Sequence, residues 1–369
     1  MSFAEAHSSV SSTLDSGIDM EKRVEHIDIA KGISITLVAL FHSELSLFIP
    51  EIIDPMALFR MPLFFFLSGV FFSYSLDPKA FFLKKSEALL KPYFSILLAL
   101  FLLSFLSGDG ALLYQLKGIF YANGDTIRWT PLWFLTHLFS LYIFTYFLFY
   151  FCKFDYLNYP IKLVLLFVFI SVGSLFVDIF WYKSIRFLER STEVPGLPFS
   201  LDIILISSTY FIVGYLLKEK LIAFSPNVVI LMFSLVTFVC VSIFTDAYIN
   251  LNKRIYDDPI FATVGAAAGI YFIIYISWFL SKVKWLGLFL LRLGDASLFI
   301  LIFHNFIGSK VHSYFSNIEG NLLVVAIFSF ALSVIIPMII KTVVIKSDIL
   351  SLAFFPFKSN KLLQRALRL

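Results

Sequence analysis

Three ionisable side chains, Asp28, Lys31 and His42, lie in one apolar stretch near the start of the chain, IDIAKGISITLVALFHSEL (27–45). Lys31 and His42 are 11 residues apart, and at about 100° per residue this spacing places them on one face of an α-helix, about 16 Å from each other. Asp28 falls on the same stripe one turn earlier, where a carboxylate can neutralise the ammonium of Lys31. Because imidazole exchanges protons near neutral pH, the stripe predicts chemistry at His42.

A purely structural account of the same residues stays open. An Asp at a helix end and a Lys whose ammonium extends to the membrane surface are common and need no function. For His42 the functional account is favoured, because ionisable groups deep in a span are expensive and usually face a bundle interior or a watery cavity. We therefore predict His42 as the catalytic residue, with Asp28 assisting through Lys31.

Three further segments carry polar residues among apolar ones: FRMPLFFFLSGVFF (59–72), WTPLWFLTHLF (129–139) and LGDASLFILIFHNFIG (293–308). They supply Arg60, Ser68, Trp133, His137 and His304 as candidate pocket residues. Arg60 fits an interfacial position equally well, and Ser68 with Gly69 fits close helix packing. We expect His137 to bond a neighbouring helix, whereas His304 fits either a shared cavity with His42 or such a bond.

The composition identifies the class of protein that must position these residues. Of 369 residues, 59% are hydrophobic and only 15% are charged, with 46 Phe, and the mean hydropathy is +0.89. A soluble domain has roughly 25% charged residues. The chain is therefore predicted to be a polytopic membrane protein. Cys152 and Cys240 both lie at or within apolar runs, so we expect neither a disulfide framework nor a metal site, and nothing suggests nucleic acid.

Ten apolar segments are long enough to be membrane spans by the criterion of about 20 residues. The predicted fold is an all-α integral membrane bundle of about ten transmembrane helices, with spans near 27–49, 58–76, 89–106, 132–152, 161–181, 201–217, 227–245, 259–280, 288–307 and 322–343.

The distribution of basic residues orients this bundle. Threading ten helices places 19 Lys and Arg on one side and nine on the other, with Lys31 inside the first span, which accounts for all 29. The excess predicts that both termini are cytoplasmic. Residues 1–22, rich in Ser and without an apolar core, are predicted to be a disordered cytoplasmic tail. The membrane domain spans 23–345, and 346–369 form a basic cytoplasmic tail.

The motifs HIDIAKGISITLVALFH, FRMPLFFFLSGVFF, PLWFLTHLF and SLFILIFH, in this order within a ten-span chain, resemble the acyltransferase family 3 membrane proteins. Within that family the chain is most similar to sugar O-acetyltransferases of the fucose 4-O-acetylase type. The most specific piece is a basic residue followed, after ten residues, by a histidine in the first span, which Lys31 and His42 match. The resemblance covers residues 23 to about 345.

This resemblance implies an enzyme of the bacterial inner membrane that moves an acetyl group from cytoplasmic acetyl-CoA to a sugar hydroxyl. The acceptor would be an envelope glycan or a lipid-linked sugar. His42 would be essential, Lys31 would serve the donor, and Arg60, Lys84 and Lys85 are further candidates for binding acetyl-CoA. No metal is implied. His42 would act as a general base or accept the acetyl group covalently. Either role needs a neutral imidazole, so activity should fall in acid.

Alternatives from other classes fit the same pattern. Ten spans with intramembrane histidines also suit a transporter or exporter of glycan precursors, in which His42 relays protons and Lys31 binds an anion. A structural subunit of an envelope polysaccharide assembly is another. The absence of visible duplicated halves favours the enzyme. The acyl group, the acceptor sugar and a homo-oligomeric state stay open.

Overall fold

Helices dominate the computed structural model, which describes residues 24–187, 190–318 and 320–356. The helices are α1 Glu25–Phe41, α2 Pro50–Ile53, α3 Ala57–Val70, α4 Pro78–Lys85, α5 Lys91–Leu106, α6 Leu112–Tyr121, α7 Trp133–Tyr150, α8 Tyr159–Phe180, α9 Ile204–Leu216, α10 Lys218–Ile222, α11 Val228–Phe244, α12 Pro259–Leu280, α13 Lys284–Asp295, α14 Ser297–Phe315, α15 Leu322–Lys346 and α16 Asp348–Phe354.

Two short antiparallel hairpins interrupt the all-α pattern predicted from the sequence. Strand β1 (Trp181–Phe187) pairs with β2 (Arg190–Pro195), and β3 (Tyr248–Asn250) pairs with β4 (Ile255–Asp257). Both hairpins lie in segments between apolar helices, so the helical description holds for the apolar part of the chain.

Each of the ten predicted apolar segments contains one or two of these helices. Within the described ranges, six helical segments are long and apolar enough to cross a membrane, and the bent pair α13 and α14 would make a seventh. Helices α3 and α11 are apolar but shorter. The count of ten spans and the side on which the termini lie therefore stay predictions.

Two of the predicted spans are wrong as continuous helices. The first, predicted over 27–49, ends at Phe41, because the hydroxyl of Ser43 donates to the carbonyl of Leu40 at 2.7 Å and competes with the helical bonding pattern. His42 is thus the residue that caps α1. The ninth, predicted over 288–307, breaks at Ala296, where α13 and α14 meet at 81°.

Reciprocal glycine contacts bring two pairs of helices into backbone contact. A Cβ added at Gly32 of α1 would lie 2.1 Å from the carbonyl oxygen of Leu290 on α13, and one at Gly294 would lie 2.5 Å from that of Asp28. Helices α3 and α9 repeat the arrangement: a Cβ added at Gly69 would lie 1.8 Å from the carbonyl oxygen of Phe211, and one at Gly214 would lie 2.0 Å from that of Phe66. The close approach predicted at Ser68 and Gly69 is therefore present at Gly69.

A buried ion pair joins the segments that precede α9 and α12. The guanidinium of Arg254 donates to both carboxylate oxygens of Asp202, at 2.7 and 3.1 Å, and both side chains are fully buried. Arg254 also donates to the carbonyl of Asn252 at 2.9 Å and lies over the ring of Trp181. The pair ties the β3–β4 connection to the start of α9.

The two predicted tails differ in how far the structure reaches. Residues 1–22 lie outside the described residues. Of 346–369, the part up to Pro356 includes α16, whose Phe354 packs against Phe299 of α14 at a ring separation of 5.1 Å. The remaining residues, 357–369, lie outside the described ranges.

Candidate functional site

Asp28 and Lys31 line a cavity of about 340 Å³ between α1, α3, α7 and the break that separates α13 from α14. The ammonium of Lys31 donates to the carboxylate of Asp28 at 3.1 Å and lies 3.4 Å from the ring centroid of Phe71. Ser68 and Tyr142 line the same space. We call it the Lys31 cavity. The ion pair expected from the i, i+3 spacing is present.

His42 lines a second cavity, of about 260 Å³, which we call the His42 cavity. Its wall includes Arg60 and Trp133 from the predicted set, and His304 from α14. Three asparagines add neutral polar groups: Asn250, Asn252 and Asn305. Among the described residues that line it, none is Asp or Glu, so the chamber carries a positive or neutral lining around an exposed imidazole.

Phe64 is shared by the linings of the Lys31 cavity and the His42 cavity. It lies on α3, and its ring makes an edge contact with the ring of Phe134 at 4.8 Å. The side chains along α1 follow the predicted order, with Asp28, Lys31 and Ser34 facing the first cavity and Val38 and His42 facing the second. One aromatic side chain thus lies at the junction of two chambers along the α1 stripe.

The three intramembrane histidines divide into a pair and a single residue. The rings of His42 and His304 are 5.3 Å apart and line the same cavity. His137 is fully buried and bonds Ser207 of α9 at 2.9 Å, as we expected of a histidine that joins neighbouring helices. The hydroxyl of Ser207 also lies 3.1 Å from the Ile203 carbonyl, and the direction of its bond with Nε2 follows the tautomer of His137.

Arg60 is buried beside His42, and among the described residues it makes no ion pair with a carboxylate. Its side chain is 4% exposed, and its guanidinium carbon lies 3.5 Å from the ring centroid of Phe41. Its Nη1 has no hydrogen-bond partner in the part of the chain that the structure describes. A buried cation without a paired anion is costly. This arrangement suits a group that meets a negative charge on a ligand or a reacting atom.

The two predicted donor-binding lysines of α4 differ in their surroundings. The ammonium of Lys85 lies 3.3 Å from the ring centroid of Tyr142, which lines the Lys31 cavity. Lys84 is exposed at the end of α4 and lines neither cavity among the described residues. Only Lys85 is thus adjacent to the site.

Contacts with the carboxylate of Asp125 connect the loops beside the His42 cavity. Lys253, which lines the cavity, pairs with the carboxylate of Asp125 at 3.2 Å. The hydroxyl of Tyr182 donates to the same carboxylate at 2.8 Å, and this hydrogen bond to a negative group raises the pKa of Tyr182 to about 12. The phenol therefore stays protonated at physiological pH and keeps the bond.

Several lining residues were not singled out from the sequence. Phe64 is one of three consecutive phenylalanines in the run PLFFF, and nothing in the local sequence distinguishes the one that lines the cavities. Asn250 ends β3, and Asn252 and Lys253 lie between β3 and β4, in a segment where the sequence shows no motif. Asn305 follows His304 directly, and this adjacency in an apolar helix was the one signal that could have identified it.

The described residues include long apolar helices and large exposed apolar side chains on α5, α8, α11 and α15, which define a membrane-embedded protein. Its two cavities lie between these helices and carry polar side chains among apolar ones. A family model described as an acyltransferase domain matches residues 24–342. The chain belongs to acyltransferase family 3 and is a multi-pass membrane acyltransferase. No curated protein and no solved structure gives a significant match.

Proposed function

We propose that this protein transfers an acetyl group from cytoplasmic acetyl-CoA to a sugar hydroxyl of an envelope glycan or lipid-linked sugar. The bundle would cross a bacterial inner membrane ten times with both termini in the cytoplasm. The observation that carries the proposal is the sharing of Phe64 by the Lys31 cavity and the His42 cavity, which gives a donor and an acceptor separate chambers with a common boundary.

The charges of the Lys31 cavity suit the pantetheine arm better than the phosphates of the donor. Two carboxylates, Asp28 and Asp295, line it, and each pairs with a lysine, Lys31 and Lys341. A phosphate would be repelled by these carboxylates, whereas amide groups of the arm can bond to either partner. The phosphates would then lie outside the cavity, within reach of Lys84 and Lys85 on α4.

The chemistry would take place in the His42 cavity. In direct transfer, the imidazole of His42 removes the proton of the sugar hydroxyl while its oxygen attacks the thioester carbonyl. The carbon–sulfur bond then breaks, and the CoA thiolate takes the proton back from the imidazolium. In the covalent alternative, a nitrogen of His42 carries the acetyl group between donor and sugar. In both, the guanidinium of Arg60 would stabilise the oxyanion on the reacting carbon.

Mass spectrometry of the glycan tests the reaction itself. Purified protein in lipid nanodiscs, given acetyl-CoA and envelope glycan from a strain that lacks this gene, should add acetyl mass to the glycan and release CoA thiol in equal amount. Glycan that gains no acetyl mass although the protein is folded would overturn the proposal.

Lys31→Met should raise the KM for acetyl-CoA about tenfold or more, because it removes a hydrogen-bond donor to the pantetheine arm and leaves the carboxylate of Asp28 without its lysine. Initial rates at varied acetyl-CoA concentration measure this. The double variant Asp28→Asn, Lys31→Met leaves no unpaired carboxylate. If the double variant restores the wild-type KM, Lys31 serves only to neutralise Asp28, and its predicted donor role is wrong. Lys79→Met on exposed α4 is the matched control and should keep the wild-type KM.

Phe64→Trp should lower kcat/KM for acetyl transfer at least about tenfold, because the larger ring fills the junction through which the thioester must reach His42. Phe64→Ala should widen the junction and raise the relative rate with longer acyl-CoA donors. Rates with acetyl-, butyryl- and hexanoyl-CoA measure both effects.

A half-buried phenylalanine away from the cavities controls for general packing loss. Phe169 of α8 lines neither cavity, so Phe169→Ala should leave the donor preference unchanged. An unaltered order of donor rates in both Phe64 variants would show that the acyl group does not pass this residue.

A further inference from the structure

The hydrogen bond of His304 to its own helix fixes which ring nitrogen carries the proton. Nδ1 lies 2.7 Å from the carbonyl oxygen of Ile300, one turn earlier on α14. A carbonyl oxygen only accepts, so Nδ1 must donate a proton to it. In the neutral ring, Nε2 therefore carries the lone pair and can only accept.

This lone pair is buried and has no partner. The side chain of His304 is 2% exposed, and Nε2 is among the buried polar atoms without a hydrogen bond in the described residues. Leaving a buried acceptor unsatisfied is unfavourable, because it has lost its bonds to water without gaining one in the protein. A charged ring here would cost more, because no carboxylate lines the cavity and the Arg60 guanidinium lies in the same wall.

The ring of His42 contacts the ring that carries this acceptor. The two ring centroids are 5.3 Å apart and the planes are tilted by 42°. At this separation a hydrogen bond between the rings requires that one nitrogen of each ring faces the other, which is a matter of the side-chain torsions of His42. His42 is exposed to the cavity, and in the described part of the chain its imidazole makes no hydrogen bond. His42 thus lacks a group that sets its tautomer, while His304 presents an acceptor that lacks a donor.

We infer that His304 positions His42 by accepting an N–H from it. The chain of bonds runs from His42 to Nε2 of His304 and from Nδ1 of His304 to the Ile300 carbonyl. It fixes the tautomer of His42 and directs the lone pair of the other His42 nitrogen into the cavity, as an oriented base requires. The role in transfer rests on the proposed function, whereas the tautomer assignment stands without it.

Kinetics of three α14 variants test the role in transfer. His304→Ala should lower kcat about 10- to 100-fold with little change in either KM, because substrates do not touch Nε2. His304→Gln places an amide oxygen near the position of Nε2 and should recover most of kcat. His312→Ala, eight residues further along the same helix and outside both cavities, should match the wild type. An equal loss in His304→Gln and His304→Ala, or a loss expressed only in KM, would overturn the inference.

A tautomer measurement separates this inference from the proposed function. Nitrogen-15 spectra of histidine-labelled protein in nanodiscs, with His42 assigned by its absence in His42→Ala, report which ring nitrogen is protonated. A single His42 tautomer in the wild type that becomes mixed in His304→Ala supports the inference even if no sugar is acetylated. The same tautomer in both proteins would refute it even if acetylation occurs.

Discussion

His42→Ala should abolish acyl transfer, with a loss of about 10²–10⁴-fold in kcat at an unchanged amount of folded protein in the membrane. His42 is the exposed imidazole of its cavity, and alanine leaves neither a base for the acceptor hydroxyl nor a nitrogen that could carry the acetyl group. The measurement is the initial rate of acetyl incorporation into glycan. His312→Ala, a histidine of α14 outside both cavities, controls for loss of an imidazole as such.

A wild-type rate in His42→Ala would show that the chemistry lies elsewhere. A single-turnover experiment then distinguishes the two mechanisms. With labelled acetyl-CoA and no acceptor, label retained by the wild type but not by His42→Ala indicates a covalent intermediate. No retained label in either protein, with transfer intact in the wild type, indicates direct attack by the sugar hydroxyl.

Asp202→Ala should destabilise the protein by about 3–5 kcal/mol, because it leaves the guanidinium of Arg254 buried without its carboxylate. The same change should raise the KM for the glycan acceptor, because Arg254 holds the carbonyl of Asn252, a residue of the His42 cavity. Thermal unfolding in detergent and acceptor kinetics measure the two effects.

Removing both charges separates the cost of an unpaired ion from the value of the pair. In Asp202→Leu, Arg254→Met, no buried charge is left alone, so most of the lost stability should return. If the double variant is as unstable as Asp202→Ala, packing around Trp181 rather than charge burial explains the loss. An unchanged melting temperature in Asp202→Ala would contradict the prediction outright.

The periodicity and the length of the apolar segments predict much of the fold. A membrane helix needs about 20 apolar residues, and each long apolar run of the sequence contains helix in the structure, although the first and ninth runs are not continuous helices. The helical repeat likewise placed Asp28, Lys31 and His42 along one side of α1 in the right order. Helix formation and the face on which a residue lies depend on residues close to it in the chain, so a single sequence is enough to predict them.

What could not be predicted depends on local competition or on distant contacts. The end of α1 at Phe41 follows from one hydroxyl, that of Ser43, bonding back to Leu40. The break at Ala296 lies between Gly294 and Ser297, residues that fit a helix end and a helix start but that an apolar average over 20 residues conceals. The pairing of His42 with His304 joins the two ends of the membrane domain. Helical periodicity describes one helix at a time, so it does not predict a contact between distant helices.

Four glycines, at the α1–α13 and α3–α9 contacts, make the spacing of these helices independent of the side chains that line the cavities. Main-chain atoms, rather than side chains, fix the spacing within each helix pair, and these pairs carry His42 and Arg60. Side chains that face the cavities can therefore change size without moving the reacting groups. On the proposed function, a substitution at Phe64 would change the preference for the acyl donor without moving the backbone that carries His42 and Arg60.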